Sequence, residues 1–296
     1  MQERTIAVVG LDTSHATAFT RLIQSPDPAV RVVEGMRVVK AARFPSAFQS
    51  EENQDLRQKE MADLGVEMAP SVAAAIEGVD AILLEINDPA LHLTYFEQVV
   101  GAGRPIFIDK PLAATVAEGR RICELAAAHN VPVWSSSSLR FLPSLAQARQ
   151  DLGDKPTVAH SFGALGKAAA GSDLVWYGVH AVEILTTALG TGAQTVRAID
   201  DSRGVIMVVE YGDGRRGIVE CIRDFWRYGG RLQTQANVTF FDNAGASPYP
   251  LLFKALRDFV VDGLVPVPLT ESLEVLAILE AGEKSLASGK VEKIGL

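Results

Sequence analysis

The residues best placed to do chemistry are Asp109-Lys110-Pro111, which directly follow the apolar run Ile106-Phe107-Ile108. If that run is an inner strand of an open α/β sheet, the lysine stands at its carboxyl end, where such sheets hold their ligands. Proline restricts the residue before it, so Lys110 is confined to one orientation, from which its ammonium can bond a substrate hydroxyl and favour the alkoxide. Taken alone, a lysine at a strand end with its head in water is the simpler reading. A second candidate follows the first apolar run, residues 5–9. A phosphate can rest there on the backbone N–H groups of a helix N-terminus, usually through a turn of the form G-x-G-x-x-G. This chain has Gly10-Leu11-Asp12-Thr13-Ser14-His15 and keeps only the first glycine. The Asp12 carboxylate would repel a phosphate unless it turns away or is neutralised. Thr13 or Ser14 can cap the helix and offer a hydroxyl, and His15 can add a donor or a positive charge. Plain helix capping by Asp12, Thr13 and Ser14 is the competing reading.

Such residues need a scaffold, and the hydrophobic pattern supplies one. Residues 5–9, 36–41, 81–86, 105–108 and 131–134 are short apolar runs, most of them separated by segments with helical spacing. Continuous apolar runs are strands buried on both faces, so this alternation predicts an α/β fold with a doubly wound parallel sheet, a Rossmann-type domain. Thr115-Val116-Ala117-Glu118 is a capping box that starts a helix running to about His129, and Asn130-Val131-Pro132 ends it. After Arg140 the character changes. Residues 158–162, 205–211, 216–223 and 232–241 alternate or are β-rich, and Gly212-Asp213-Gly214 is a hairpin turn. With helices over about 178–189, 250–262 and 271–288, the second half reads as an α+β domain with a mostly antiparallel sheet. We therefore expect a Rossmann domain over 1–138 and an α+β domain over 139–296, with no low-complexity linker between them.

Composition narrows the partners. No stretch of the 296 residues approaches the roughly 20 consecutive apolar residues of a membrane span. The opening MQERTIAVVG runs straight into a strand pattern without a basic segment or cleavage site, which points to a cytoplasmic protein. A net charge of -8 disfavours phosphate backbones and anionic lipid, so neither nucleic acid nor membrane is an expected partner. Cys123 and Cys221 stand apart from each other and from any histidine cluster and read as core thiols. No pair among Asp12, His15, His92 and His180 has the i, i+4 spacing of a helical metal motif, and no metal site is expected.

If a dinucleotide binds the first sheet, an acidic residue at the end of the second strand would usually read its ribose. Arg43 stands there instead and suits a 2'-phosphate, which favours NADP over NAD, with Ser46 as a helper. A solvated surface arginine accounts for it equally well.

Taken together, Asp109-Lys110-Pro111-Leu112, His92 in Asn87-Asp88-Pro89-Ala90-Leu91-His92, Gly101-Ala102-Gly103, Leu139-Arg140-Phe141 and the pattern over 249–289 make the chain similar to the glucose-fructose oxidoreductase, inositol dehydrogenase and rhizopine-catabolism (Gfo/Idh/MocA) family. The resemblance implies an NAD(P)-dependent oxidoreductase acting on a sugar, cyclitol or related polyol. It also implies a second domain whose open-faced sheet often builds a homo-oligomer, a dimer or tetramer. The family's Asp-x-Gly-x-His stretch corresponds to Trp176-Tyr177-Gly178-Val179-His180, where tryptophan replaces the aspartate. By resemblance His180 is the proton acceptor, and an imidazole that titrates near neutrality suits that task. If the helix has begun there, Tyr177 and Glu183 share its face, Tyr177 to bond substrate and Glu183 to raise the histidine's pKa. The expected cofactor residues are Gly10, Asp12, Thr13, Ser14, His15, Arg43, Asn87, His92, Asp109 and Lys110. The lost glycines and the lost aspartate leave a second reading open, a family descendant that no longer catalyses and serves as a ligand-binding or scaffold protein. Two further groups stay undecided between ligand and structural roles: Arg140, after the serine run 135–138, and the cluster Arg223, Trp226, Arg227 and Tyr228.

Overall fold

The computed structural model describes residues 3–296. It contains two compact units, one formed by the chain through Ser135 with Tyr249–Leu269, the other by Ser136–Pro248 with Thr270–Leu296.

The first unit is a six-stranded sheet of β1 (Arg4–Val9), β2 (Met36–Ala42), β3 (Glu67–Met68), β4 (Ala81–Leu84), β5 (Ile106–Ile108) and β6 (Val133–Ser135), in the order β3-β2-β1-β4-β5-β6. Every neighbouring pair is parallel, as the continuous apolar runs require. The chain order reverses between β1 and β4, and a crevice therefore opens at the carboxyl ends of these strands. The helices are α1 (His15–Gln24), α2 (Glu51–Asp63), α3 (Val72–Ile76), α4 (His92–Val99) and α5 (Val116–His129). The capping box forms as expected, with Thr115 accepting from the Glu118 N–H and Glu118 from the Thr115 N–H, and Asn130 closes α5 in a left-handed conformation. Helix α2 gives almost no periodic signal because only Gln54 and Met61 are buried; the Ser50 cap and the acidic pair Glu51 and Glu52 in its first turn hold it.

The second unit carries α6 (Pro143–Leu152), β7 (Val158–Ala164), a π-helical turn at Leu174–Gly178, and α7 (Val179–Leu189). It continues with β8 (Ala193–Asp201), β9 (Gly204–Tyr211), β10 (Arg216–Ile222), β11 (Gly229–Gln233) and β12 (Val238–Asp242). After α8 (Tyr249–Asp262), α9 (Leu269–Ser288) and β13 (Glu292–Lys293) end the chain. The sheet order is β12-β11-β7-β10-β9-β8-β13, and it is antiparallel except where β10 runs parallel to β7. Helix α7 covers one face, and Gly217 lets it come close: a Cβ there would stand 2.5 Å from Leu185 Cδ2. The other face leaves Ile199, Ile206 and Phe240 exposed.

Two expectations need correction, and one strand was not foreseen. Residues 139–296 do not form one contiguous unit, because α8 packs on the first sheet: Phe253 lies edge-on to Phe19 at 5.0 Å and Phe259 to Trp134 at 5.8 Å. The single strand expected over 232–241 is two strands, since Thr234 bonds the backbone N–H groups of Ala236 and Asn237 and turns the chain between β11 and β12. Strand β8 also escaped the sequence reading, because it alternates buried residues with charged and exposed ones at the sheet's margin.

Candidate active site

The turn after β1 solves the problem its sequence poses. Gly10 has φ +108°, and a Cβ there would lie 2.3 Å from the Glu85 carbonyl oxygen, so only glycine lets β1 exit beside β4. The Asp12 carboxylate does not face outward. It is buried, accepts from Ser46 Oγ at 2.7 Å and from the Asn87 N–H at 2.9 Å, and so ties the loops after β1, β2 and β4 together. Burial raises its pKa despite these bonds. Ser46 is thereby committed to Asp12 instead of assisting Arg43. Thr13, not Ser14, is the capping residue: its Oγ1 accepts the His15 N–H at 3.2 Å, while the Ser14 side chain caps nothing. Helix α1 has no acidic residue in its first turn, so no carboxylate of the helix itself offsets its positive end.

At the ends of β4 and β5 three charged side chains meet. Asp109 is buried and accepts from His15 Nδ1 at 2.8 Å and from the Lys110 N–H at 2.9 Å. Burial alone would raise its pKa, but His15 and the Lys110 ammonium outweigh it and hold the carboxyl at about 2, well ionised. The acceptor is thus a carboxylate, and His15 Nδ1 must carry the hydrogen. Glu85 is fully buried; desolvation, reinforced by Asp109 and opposed by Lys110, pushes its pKa well up. Neither of its oxygens has a hydrogen-bond partner among the described residues. Lys110 itself is almost wholly buried rather than extended into water, and its peptide bond to Pro111 is cis. His92 is also buried, with Nε2 2.9 Å from the Ile86 carbonyl and Nδ1 3.3 Å from that of Leu112, so it joins two loops through their main chain. Arg43 bonds Asp55 at 2.5 Å and lies 3.7 Å from Glu51, both on α2.

In the second unit His180 is buried in the first turn of α7, with Nδ1 2.7 Å from Ser137 Oγ. Ser137 Oγ also accepts from the Leu139 N–H at 3.1 Å. Aromatic edges surround the ring: Tyr177 at 5.0 Å and Tyr228 at 5.6 Å between centroids, with Trp226 edge-on to Tyr177 at 5.3 Å. Burial first, and then the interaction with Tyr177, push the Tyr228 hydroxyl far up, so it stays protonated. Glu183 does not serve the histidine. Its carboxylate accepts from the Ser137 N–H at 2.9 Å and from Arg140, which also bonds Glu271 of α9. Arg140 therefore has a structural role, joining the turn over residues 138–141 to α7 and α9. Arg223 pairs with Asp200 at 2.8 Å.

The first unit thus brings together Gly10, Asp12, Thr13, His15, Asn87, Asp109 and Lys110, and leaves Arg43 engaged by α2. Glu85 and Ser137 were missed. A lone glutamate inside an apolar strand run carries one legible signal, a charge where both faces should be buried; Ser137, within a run of four serines, carries none. The residues present fit a dinucleotide at the α1 N-terminus, because the Asp12 charge is turned inward and Gly10 makes the tight turn that leads from β1 towards α1.

Residues 5–137 match the oxidoreductase family GFO_IDH_MocA, described by its NAD-binding Rossmann fold. Solved structures share the fold along the whole chain at low identity. GenD2 from gentamicin A biosynthesis, in complex with NAD, is 16% identical with a TM-score of 0.83 and covers 100% of this chain and 97% of its own. Scyllo-inositol dehydrogenase from Lactobacillus casei, with NAD(H) and scyllo-inositol, is 14% identical at 0.81, covering 99% of each chain. Myo-inositol dehydrogenase from the same organism, with NAD(H) and myo-inositol, is 11% identical at 0.82, covering 100% and 98%. No curated protein sequence matches significantly.

Proposed function

From a chain that belongs, through residues 5–137, to the GFO_IDH_MocA oxidoreductase family, we propose an enzyme that transfers hydride between NAD and a sugar, cyclitol or related polyol. The observation that carries this reading is the Lys110 ammonium, buried at the carboxyl end of β5 in the same unit as a glycine turn whose one acidic side chain faces inward. Bound NAD would supply the hydride acceptor. Gly10, Thr13, His15 and Asn87 would hold it, with Asp12 and His92 acting through the loops they fix. Lys110 bonds the reacting hydroxyl and favours its alkoxide. By resemblance His180 is the proton acceptor, and Ser137 Oγ, 2.7 Å from its Nδ1, orients the ring. Tyr177 offers a hydroxyl beside that imidazole.

Arg43 supported NADP in the sequence. Its pairing with Asp55 and Glu51 cancels the charge a 2'-phosphate would need, and we assign NAD instead. The reading without catalysis loses part of its motive, because Asp12 no longer opposes a phosphate. We further propose that the face carrying Ile199, Ile206 and Phe240 is covered by a second copy of the chain, giving a dimer or tetramer measurable by light scattering.

The test is NADH formation, followed by absorbance, across a panel of inositols and aldoses with NAD+. The expected result is turnover on at least one of them, with kcat/KM lowered about 100-fold or more in Lys110→Ala, the scale of losing one preorganised donor. Equal turnover in the variant would remove the lysine from the reaction.

A further inference from the structure

Glu85 stands at the carboxyl edge of the first sheet, fully buried, with neither oxygen bonded among the described residues. Leaving a carboxylate in that state is strongly unfavourable unless a positive charge reaches it. Asp109 from the end of β5 and His15 from the start of α1 converge on it, so that one ligand atom from each of the three lies within 4.8 Å of the other two. All three belong to the first unit. We propose that His15, Glu85 and Asp109 form a binding site for a divalent cation of the first transition row.

The donor chemistry fits such an ion. One imidazole and two carboxylates suit Mn2+, Fe2+ or Zn2+, and they leave coordination positions for water or a ligand oxygen. Ligand atoms on a shared ion at about 2.0 to 2.2 Å lie roughly 3 to 4 Å apart, so small side-chain adjustments bring these three into range. A hydrogen now bridges His15 Nδ1 and Asp109 at 2.8 Å, and an ion would take its place. The charges also call for one. Without an ion, burial together with Asp109 and Asp12 drives Glu85 towards its neutral form, and a dication would displace that proton and offset both carboxylates. His15 is partly exposed, which gives an ion a way in. Helical spacing misses this cluster because its ligands come from two strand ends and the start of a helix.

Full-length protein stripped with a chelator and titrated with Mn2+, with the free-ion electron paramagnetic resonance signal as the readout, is expected to take up one equivalent below millimolar concentration. Glu85→Gln keeps the shape of the side chain and should weaken uptake by about 100-fold, and His15→Ala by about tenfold, since even outer partners of a metal site contribute on that scale. Zn2+ should displace the bound Mn2+. No uptake at millimolar Mn2+, or equal affinity in the variants, overturns the site. If circular dichroism finds Glu85→Gln unfolded, His15→Ala decides alone, and unchanged affinity there overturns it. The measurement involves no nucleotide, so its outcome is separate from that of the proposed hydride transfer.

Discussion

The two units handle their ionisable groups in opposite ways. In the first, charges from several strand ends crowd together and are matched unevenly: Asp12 has Ser46 and Asn87, Asp109 has His15 and the Lys110 N–H, and Glu85 has neither oxygen bonded among the described residues. In the second, Arg140 pairs with both Glu183 and Glu271 although its Nη2 has no hydrogen-bond partner among the described residues, and His180 lies beside a serine hydroxyl and aromatic edges. Buried charges that meet opposite charges serve the fold, whereas a buried group left without a bonded partner marks a place for a ligand. The contrast assigns electrostatic work to the first unit and orientation of an imidazole to the second.

The contrast can be broken at several points. Arg140→Ala leaves Glu183 and Glu271 without their shared partner and should cost about 3 to 5 kcal/mol of stability in denaturant unfolding. A loss under 1 kcal/mol would mean that the pairs are not structural. Asp109→Asn probes the first unit through pH. Because the folded carboxyl is held at about 2, below its ordinary 3.8, its ionised form favours the folded state. That stabilisation is whole above pH 3.8 and fades as pH falls through 2. The stability gap between wild type and Asp109→Asn should therefore be on the order of 2 kcal/mol near neutrality and close over that acid window. A gap independent of pH would contradict the assignment.

Ser137→Ala sharpens the other side. It should lower kcat about tenfold with little change in KM and move the acidic limb of the pH–rate profile, because the imidazole loses the hydroxyl that orients it. An unmoved profile would reduce Ser137 to a packing residue. The smallest effect is expected for Arg43→Ala, less than about threefold in the dissociation constant for NADH, since the guanidinium is already occupied by α2. A large selective loss of NADPH binding would restore the role the sequence gave it.

The parallel sheet and the α5 capping box were legible in the residues because strands buried on both faces and capping side chains leave local signatures. Lys110 was legible for the same reason, standing next to Pro111 at a strand end. What remained hidden is non-local. Asp12 looks hostile to phosphate until Ser46 and Asn87 are brought to it from other loops. Glu183 lies one helical turn beyond His180 and still turns to Arg140, a choice that spacing along one helix does not reveal. Helix α8 follows the second sheet in sequence but packs through Phe253 and Phe259 with the first, because amphipathic periodicity specifies a buried face without naming its neighbour.

The most direct measurement is a fluorescence titration of the wild-type protein with NADH. Saturable binding at micromolar to sub-millimolar concentration is the outcome that a turn with Asp12 folded inward requires. A signal that stays linear into the millimolar range would mean that the α1 N-terminus holds no dinucleotide, and the oxidoreductase reading would fall with it.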